Sequence, residues 1–174
     1  IGMREKLFEK VFEKNKIFLL PNWIDLNKIK KKEIGDKNTN KYRQILNISP
    51  DKIVIQFSGS MNKKQGLEFL LPIIENFKKH KKVIWIFGGE GPTKKEFIYA
   101  TRNITNIKFL PFQDLEDLNE WFNLGDIHII PQKKEVEDLV FPSKLIGILA
   151  SGNPVISNTT LESELGRVVD IAGI

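Results

Sequence analysis

Apolar residues along this chain fall into five short runs, each followed by a polar or glycine-rich stretch. They are 53–57 (IVIQF), 83–87 (VIWIF), 107–110 (IKFL), 126–130 (DIHII) and 154–157 (PVIS). None alternates apolar with polar, so each reads as a strand buried on both faces. Between the runs, apolar residues recur three and four positions apart, as on one side of a helix. The stretch 67–79 carries Leu67, Leu70, Leu71, Ile74 and Phe77 on its inner face. Further helices are predicted from Pro92 or Thr93, from Asp114 through Trp121 and Phe122, over 143–151 and over 161–171. Buried strands alternating with helices predict an α/β fold, a doubly wound, Rossmann-like parallel sheet. Right-handed crossovers place helices on both faces and give the strand order 3-2-1-4-5 with VIWIF inside.

The first fifty residues are less regular. Positions 4–15 are amphipathic, with Leu7, Phe8, Val11 and Phe12 on one helical face, and are expected to pack little against the 53–171 core. A short buried strand is expected over 17–20, broken by Pro21-Asn22-Trp23. The stretch 27–42 contains KIKKKE and GDKNTNK and reads as a solvated linker. It lacks the interleaved aromatic residues that stack nucleic-acid bases, so nucleic acid is not an expected partner.

Composition narrows the choice. The 174 residues are 41% hydrophobic and 28% charged, the make-up of one ordinary globular domain. There is no cysteine, and the two histidines, His80 and His128, are far apart, so no metal site is expected. A net charge of +5 and a pI near 9.3 favour anionic partners such as nucleotides or an acidic membrane face. No apolar run approaches the roughly 20 residues of a membrane span, and a cytoplasmic location is the default expectation.

In a sheet of this kind, ligands bind beyond the carboxyl ends of the strands. The loops 58–66, 88–92 and 131–142 meet there, and they hold the glycines, lysines and acids. The segment 135–157, EVEDLVFPSKLIGILASGNPVIS, is the richest. Ser143 stands where a helix N-cap belongs, Lys144 just inside, and Gly152-Asn153-Pro154 is a sound stop. Backbone N–H groups at such a helix start suit an anion. The carboxylates of Glu137 and Asp138, just upstream, suit hydroxyl groups. Phosphate donors beside hydroxyl acceptors make a site for a nucleotide-sugar. Neither G-x-G-x-x-G nor a P-loop follows the first strand. Gly59 opens that loop instead, with Lys63 and Lys64 ahead of Gly66 as candidate diphosphate cations.

Taken together, FSGSMNKKQGLEFLL, IFGGEGPTKK, NIKFLPFQDLEDLNEWFNLGDIHIIPQ and EDLVFPSKLIGILASGNPVIS resemble the C-terminal, donor-binding domain of a bacterial GT-B glycosyltransferase of family 4. The last stretch is similar to the PSK branch, which builds colanic acid, O-antigen and capsule. The resemblance implies that 1–25 is the last helix of an N-terminal domain with its hinge. Residues 26–174 are then the C-terminal nucleotide-sugar-binding domain, truncated at its end. Glu137 takes the place of the family glutamate facing the donor sugar, with Asp138 as second choice. Leu139, Val140, Phe141 and Pro142 match the loop whose amides line sugar and diphosphate. Lys64, or Lys63, stands where a basic side chain meets the diphosphate, near Gly59. Phe109 to Phe112 fall where backbone meets the nucleobase. The family's second glutamate, which holds the ribose, lands on Gly147. Ser143 and Lys144 are inserted, and Lys144 is an added phosphate contact.

The resemblance further implies a full enzyme that moves a sugar from a nucleotide diphosphate to a glycan or lipid-linked glycan acceptor. Transfer proceeds with retention, without metal or cofactor, in the cytoplasm or at the inner face of the membrane. It allows peripheral membrane association of the whole enzyme. The acceptor is expected to bind through an N-terminal domain absent here, so this chain alone is expected to bind nucleotide without turnover. The alternatives are a nucleotide-sugar epimerase of the same architecture and a non-catalytic nucleotide-binding module. An epimerase calls for carboxylates and histidines in the cleft.

Overall fold

The computed structural model describes residues 8, 14–16, 18, 20–32, 37–136 and 140–172, residue 14 by its backbone alone. Five strands form one sheet in the order β3-β2-β1-β4-β5. They are β1 (Ile53–Ser58), β2 (Val83–Gly88), β3 (Ile107–Leu110), β4 (Ile127–Ile130) and β5 (Val155–Ser157). Every neighbouring pair is parallel, with Ile55 opposite both Trp85 and Ile127. Order, direction and the interior place of VIWIF are as the sequence predicts.

Helices cover both faces, which is why the strands carry no polar side. They are α1 (Lys41–Ile45), α2 (Leu71–Phe77), α3 (Lys94–Ala100), α4 (Leu118–Phe122), α5 (Lys144–Ala150) and α6 (Glu164–Ala172). One core layer joins Val54, Ile86 and Ile130 to Trp121, Phe122, Leu145 and Ile148 of α4 and α5. The opposite layer joins Phe57, Phe87 and Ile129 to Leu67, Leu70, Ile74 and Phe97. Successive β1 residues point to alternate layers, so Gln56 and Ser58 lie on the α4 side with Val54.

Four local expectations change. The helix expected over 67–79 begins as a 3-10 turn, Leu67–Leu70, and becomes α-helical only at Leu71. Pro72 sits in the first turn of α2, where its missing N–H breaks no helical hydrogen bond. Of the buried strand expected over 17–20, the two described residues are not buried: Phe18 is 87% and Leu20 78% exposed. Leu7, Val11 and Phe12 lie outside the described residues, and Phe8 is partly buried.

The stretch expected to be a solvated linker is instead docked on α4. The Lys30 and Lys32 N–H groups donate to the side-chain oxygens of Asn119 and Asn123, each over 2.9 Å. Asn40 caps α1, accepting from the backbones of Tyr42 and Arg43, and donates to the Glu120 carbonyl at 2.8 Å. Tyr42 meets the Trp121 ring edge-on at 5.2 Å. Arg43 is buried, with Nη2 2.6 Å from Asp126 Oδ2. Fourthly, Ser143 directly precedes α5 but is already in helical conformation, and its side chain makes no capping bond. A capping residue typically has extended conformation, from which its side chain can turn back onto the first free N–H groups.

Candidate functional site

The carboxyl ends of β1 and β2 are joined by backbone contacts. Gly59 N–H donates to the Gly88 carbonyl at 2.9 Å, and Met61 N–H to that of Glu90 at 2.8 Å. Gly89 is held at φ 138°, and a Cβ there would stand 1.9 Å from the Gly59 carbonyl oxygen. Only glycine fits, which accounts for one glycine of the GGEGP run.

Beside this junction opens a cleft of about 150 Å³. Ser58, Gly59 and Gly88 form its strand side, Trp121, Phe122 and Leu118 its α4 side, and Pro111, Phe112 and Gln113 its far end. Pockets that enclose whole small ligands usually span about 300–1,000 Å³, and this cleft is smaller than that range. Lys144, the first residue of α5, closes it from above. Its Nζ lies 4.1 Å from the centroid of the Phe57 ring and 3.4 Å from Gln65 Oε1. No carboxylate pairs with it among the described residues. Burial therefore pushes its pKa down to about 7, because a desolvated ammonium is stabilised by nothing but a ring face and an amide oxygen.

The family model for group 1 glycosyl transferases matches residues 52–170, a span that includes all five strands and every residue of the cleft. The chain belongs to the group 1 glycosyl transferases. It is 28% identical over 170 residues to WcaI of Escherichia coli (strain K12), which carries the name of a colanic acid biosynthesis glycosyl transferase. That match covers 97% of this chain and 41% of WcaI. WaaG, a glycosyltransferase involved in lipopolysaccharide biosynthesis, superposes with a TM-score of 0.71 at 17% identity. The superposition takes in 92% of this chain and 42% of WaaG. HepE (Alr3699) of Anabaena, solved in complex with UDP-glucose, gives 0.69 at 16% identity over 98% of this chain and 50% of HepE. At such identities the likeness to WaaG and HepE is one of fold. The chain spans less than half the length of WcaI.

In this group 1 glycosyl transferase chain, the expected site residues separate into three groups. Gly59, Phe112 and Lys144 come together in the cleft. Lys63 and Lys64 do not line it. They are exposed and border a neighbouring groove with Asn62, Pro92, Thr93 and Glu96. Phe109 is packed against Phe87 and Phe97, with ring centroids 5.7 and 6.1 Å away. Val140 offers its carbonyl to Gln132 Nε2 at 2.9 Å, Phe141 packs against the core, Pro142 is partly buried and Ser143 is exposed. Glu137, Asp138 and Leu139 lie outside the described residues.

Gly147 has a structural cause. A Cβ there would stand 2.5 Å from Cε2 of Phe122, so that ring fills the space a side chain would need. His128 is wholly buried, its Nε2 2.9 Å from the Phe122 carbonyl, and burial pushes its pKa down to about 4. It is a neutral core residue and does not line the cleft.

Several cleft residues escape the sequence reading, and two of them are linked to each other. Ser58 and Trp121 are bonded to each other across 63 positions, with Trp121 Nε1 donating to Ser58 Oγ at 2.8 Å. The one available signal is Gln56, a polar residue inside an apolar strand, which must find partners when buried. It finds Ser58 and the Trp121 carbonyl, both at 3.1 Å.

Proposed function

We propose that this chain is the donor-binding half of a retaining glycosyltransferase of the family 4 PSK branch, and that its cleft takes the nucleoside diphosphate of a nucleotide-sugar. The observation that carries this reading is the Lys144 ammonium, partly buried over Gly59 and the Phe57 ring and without a carboxylate partner among the described residues, at the carboxyl edge of a group 1 domain. With the diphosphate beside it, that ammonium would offset the negative charge that grows on the leaving group as the sugar departs. Pro111 and Phe112 offer the base a flat apolar surface. HepE was solved with UDP-glucose, so UDP is the first donor nucleotide to try.

Residues 1–25 are then the last helix of an N-terminal domain with its hinge, and 26–174 the donor domain, a reading that the length of WcaI and the exposed Phe18, Leu20 and Trp23 support. Glu137 and Asp138 face the sugar hydroxyls in this reading. Lys63 and Lys64, in the adjacent groove, lend long-range attraction to the diphosphate. The acceptor is a glycan or lipid-linked glycan reaching the other half of the enzyme at the inner membrane face, in keeping with the names of WcaI and WaaG. Burial of His128 in the core speaks against the epimerase alternative. Isothermal titration of the chain with UDP, GDP and ADP tests the reading. One of them is expected to bind, and Lys144→Met to weaken it about tenfold or more, the worth of one charge-assisted contact. Equal affinity in wild type and variant would remove Lys144 from the site.

A further inference from the structure

Ser58 ends β1 at the floor of the cleft, and its hydroxyl is held by two donors. Trp121 Nε1 donates to Ser58 Oγ over 2.8 Å and Gln56 Nε2 over 3.1 Å. The second bond has a fixed direction. The same amide nitrogen donates to the Trp121 carbonyl, which can only accept, and an indole N–H can only donate. Both lone-pair positions on Ser58 Oγ are therefore taken, and one valence is left, its own proton. That proton has no acceptor among the described residues. Ser58 is a side chain that can give the cleft's occupant a hydrogen bond and cannot receive one.

Building on the nucleotide reading above, we infer that Ser58 donates its hydrogen bond to a ribose hydroxyl of the bound nucleoside diphosphate. Its position favours the sugar over the other parts of the nucleotide. At one end of the cleft Lys144 reaches over Gly59, the place for phosphate, and at the other Pro111 and Phe112 follow β3, the place for a base. β1 lies between β4, which leads through the 131–142 loop to α5, and β2, beyond which β3 leads to that far end. α5 offers no carboxylate from position 147, because the Phe122 ring stands where a side chain would go. Between those two ends, the Ser58 hydroxyl at the end of β1 is the donor that a ribose lying across the cleft would meet. A ribose hydroxyl can accept from it and still give its own proton to water.

Titration calorimetry with UDP, 2′-deoxy-UDP and 3′-deoxy-UDP tests this on wild type, Ser58→Ala and Ser58→Cys, with the GDP and ADP series used in parallel. Wild type is expected to bind the ribonucleotide about 3- to 10-fold more tightly than one of its deoxy forms, as one net neutral hydrogen bond allows. Ser58→Ala should lose that factor for the ribonucleotide and leave the deoxy form unchanged. Ser58→Cys fills the same space with a weak donor and should show the same loss of discrimination. It serves the test if the alanine variant fails to fold. Equal losses for ribo and deoxy forms would make Ser58 a purely structural residue and overturn the inference while the nucleotide reading stands. If wild type binds none of the diphosphates, the nucleotide reading fails and this inference with it.

Discussion

At the scale of single residues, the charge on Lys144 couples stability to pH in an unusual direction. Its pKa in the folded chain is about 7 against an ordinary 10.5. Below about pH 7 the ammonium is charged in both states, and the folded state bears the whole desolvation cost. Between those values the unfolded chain keeps a proton that the folded chain has released, so stability rises with pH. Lys144→Met should therefore stabilise the chain at pH 6 by about 1–3 kcal/mol, with the gain vanishing towards pH 10.5. Denaturant titration of both proteins from pH 6 to 9.5 reads it directly, and a substitution that destabilises at pH 6 would mean a well-solvated ammonium. The same protonation makes nucleoside diphosphate affinity fall as pH rises through 7 to 9, with proton uptake on binding visible in buffers of different ionisation enthalpy. Gly147 sets a contest of two effects. Alanine gains about 1 kcal/mol in helix propensity over glycine, but its Cβ would meet the buried Phe122 ring at 2.5 Å. Overpacking of that kind costs about 1–3 kcal/mol. The clash should win because the ring is held in the core, so Gly147→Ala is expected to lower the urea midpoint, and Phe122→Leu to recover part of the loss. A higher midpoint in the single variant would show that the ring gives way freely.

At the scale of elements, one carboxylate ties three segments together. Asp126 Oδ2 takes the Arg43 guanidinium at 2.6 Å and the Val54 N–H at 2.8 Å, linking α1 to β1 at the start of β4. Asp126→Ala would leave Arg43 buried and unpaired, a loss of about 3–5 kcal/mol. A fall in Tm much smaller than that implies would mean that Arg43 escapes to water. This docking was invisible in the sequence for a definable reason. A polar stretch shows that its groups need hydrogen bonds, but not whether water or backbone supplies them. The strands were legible because a run such as VIWIF has no polar side to place in water, and that alone dictates burial on both faces. Two of the three loops expected at the strand ends, 58–66 and 88–92, do contribute to the cleft, since topology carries them to one edge, whereas no described residue of 131–142 lines it. Ser58 and Trp121 were not legible, because their meeting depends on which face of β1 looks at α4. The expected cap at Ser143 failed on backbone conformation, which the residue type alone does not determine.

At the scale of the whole molecule, Phe18, Leu20, Trp23 and Leu26 form an exposed apolar series over 18–26. Such surface favours association. Serine at these four positions should lower the concentration-dependent mass seen by light scattering. Trp23 is 80% exposed while Trp85 and Trp121 are 2% and 3%, so Trp23→Phe should remove the red-shifted, acrylamide-quenched part of the fluorescence and leave the remainder blue-shifted. Unchanged quenching would place Trp23 under cover. The strand order also has a consequence for the chain during its synthesis. β1 lies at the centre of the sheet, yet its two neighbours are made at different times. β2 follows within about 30 residues, whereas β4 begins about 70 residues after β1 ends. At roughly 5–20 residues per second on the ribosome, one flank of a Val- and Ile-rich strand waits several seconds for its partner. During that wait the strand's free edge is open to pairing with any other nascent chain nearby, so crowding on the polysome is a hazard built into this strand order.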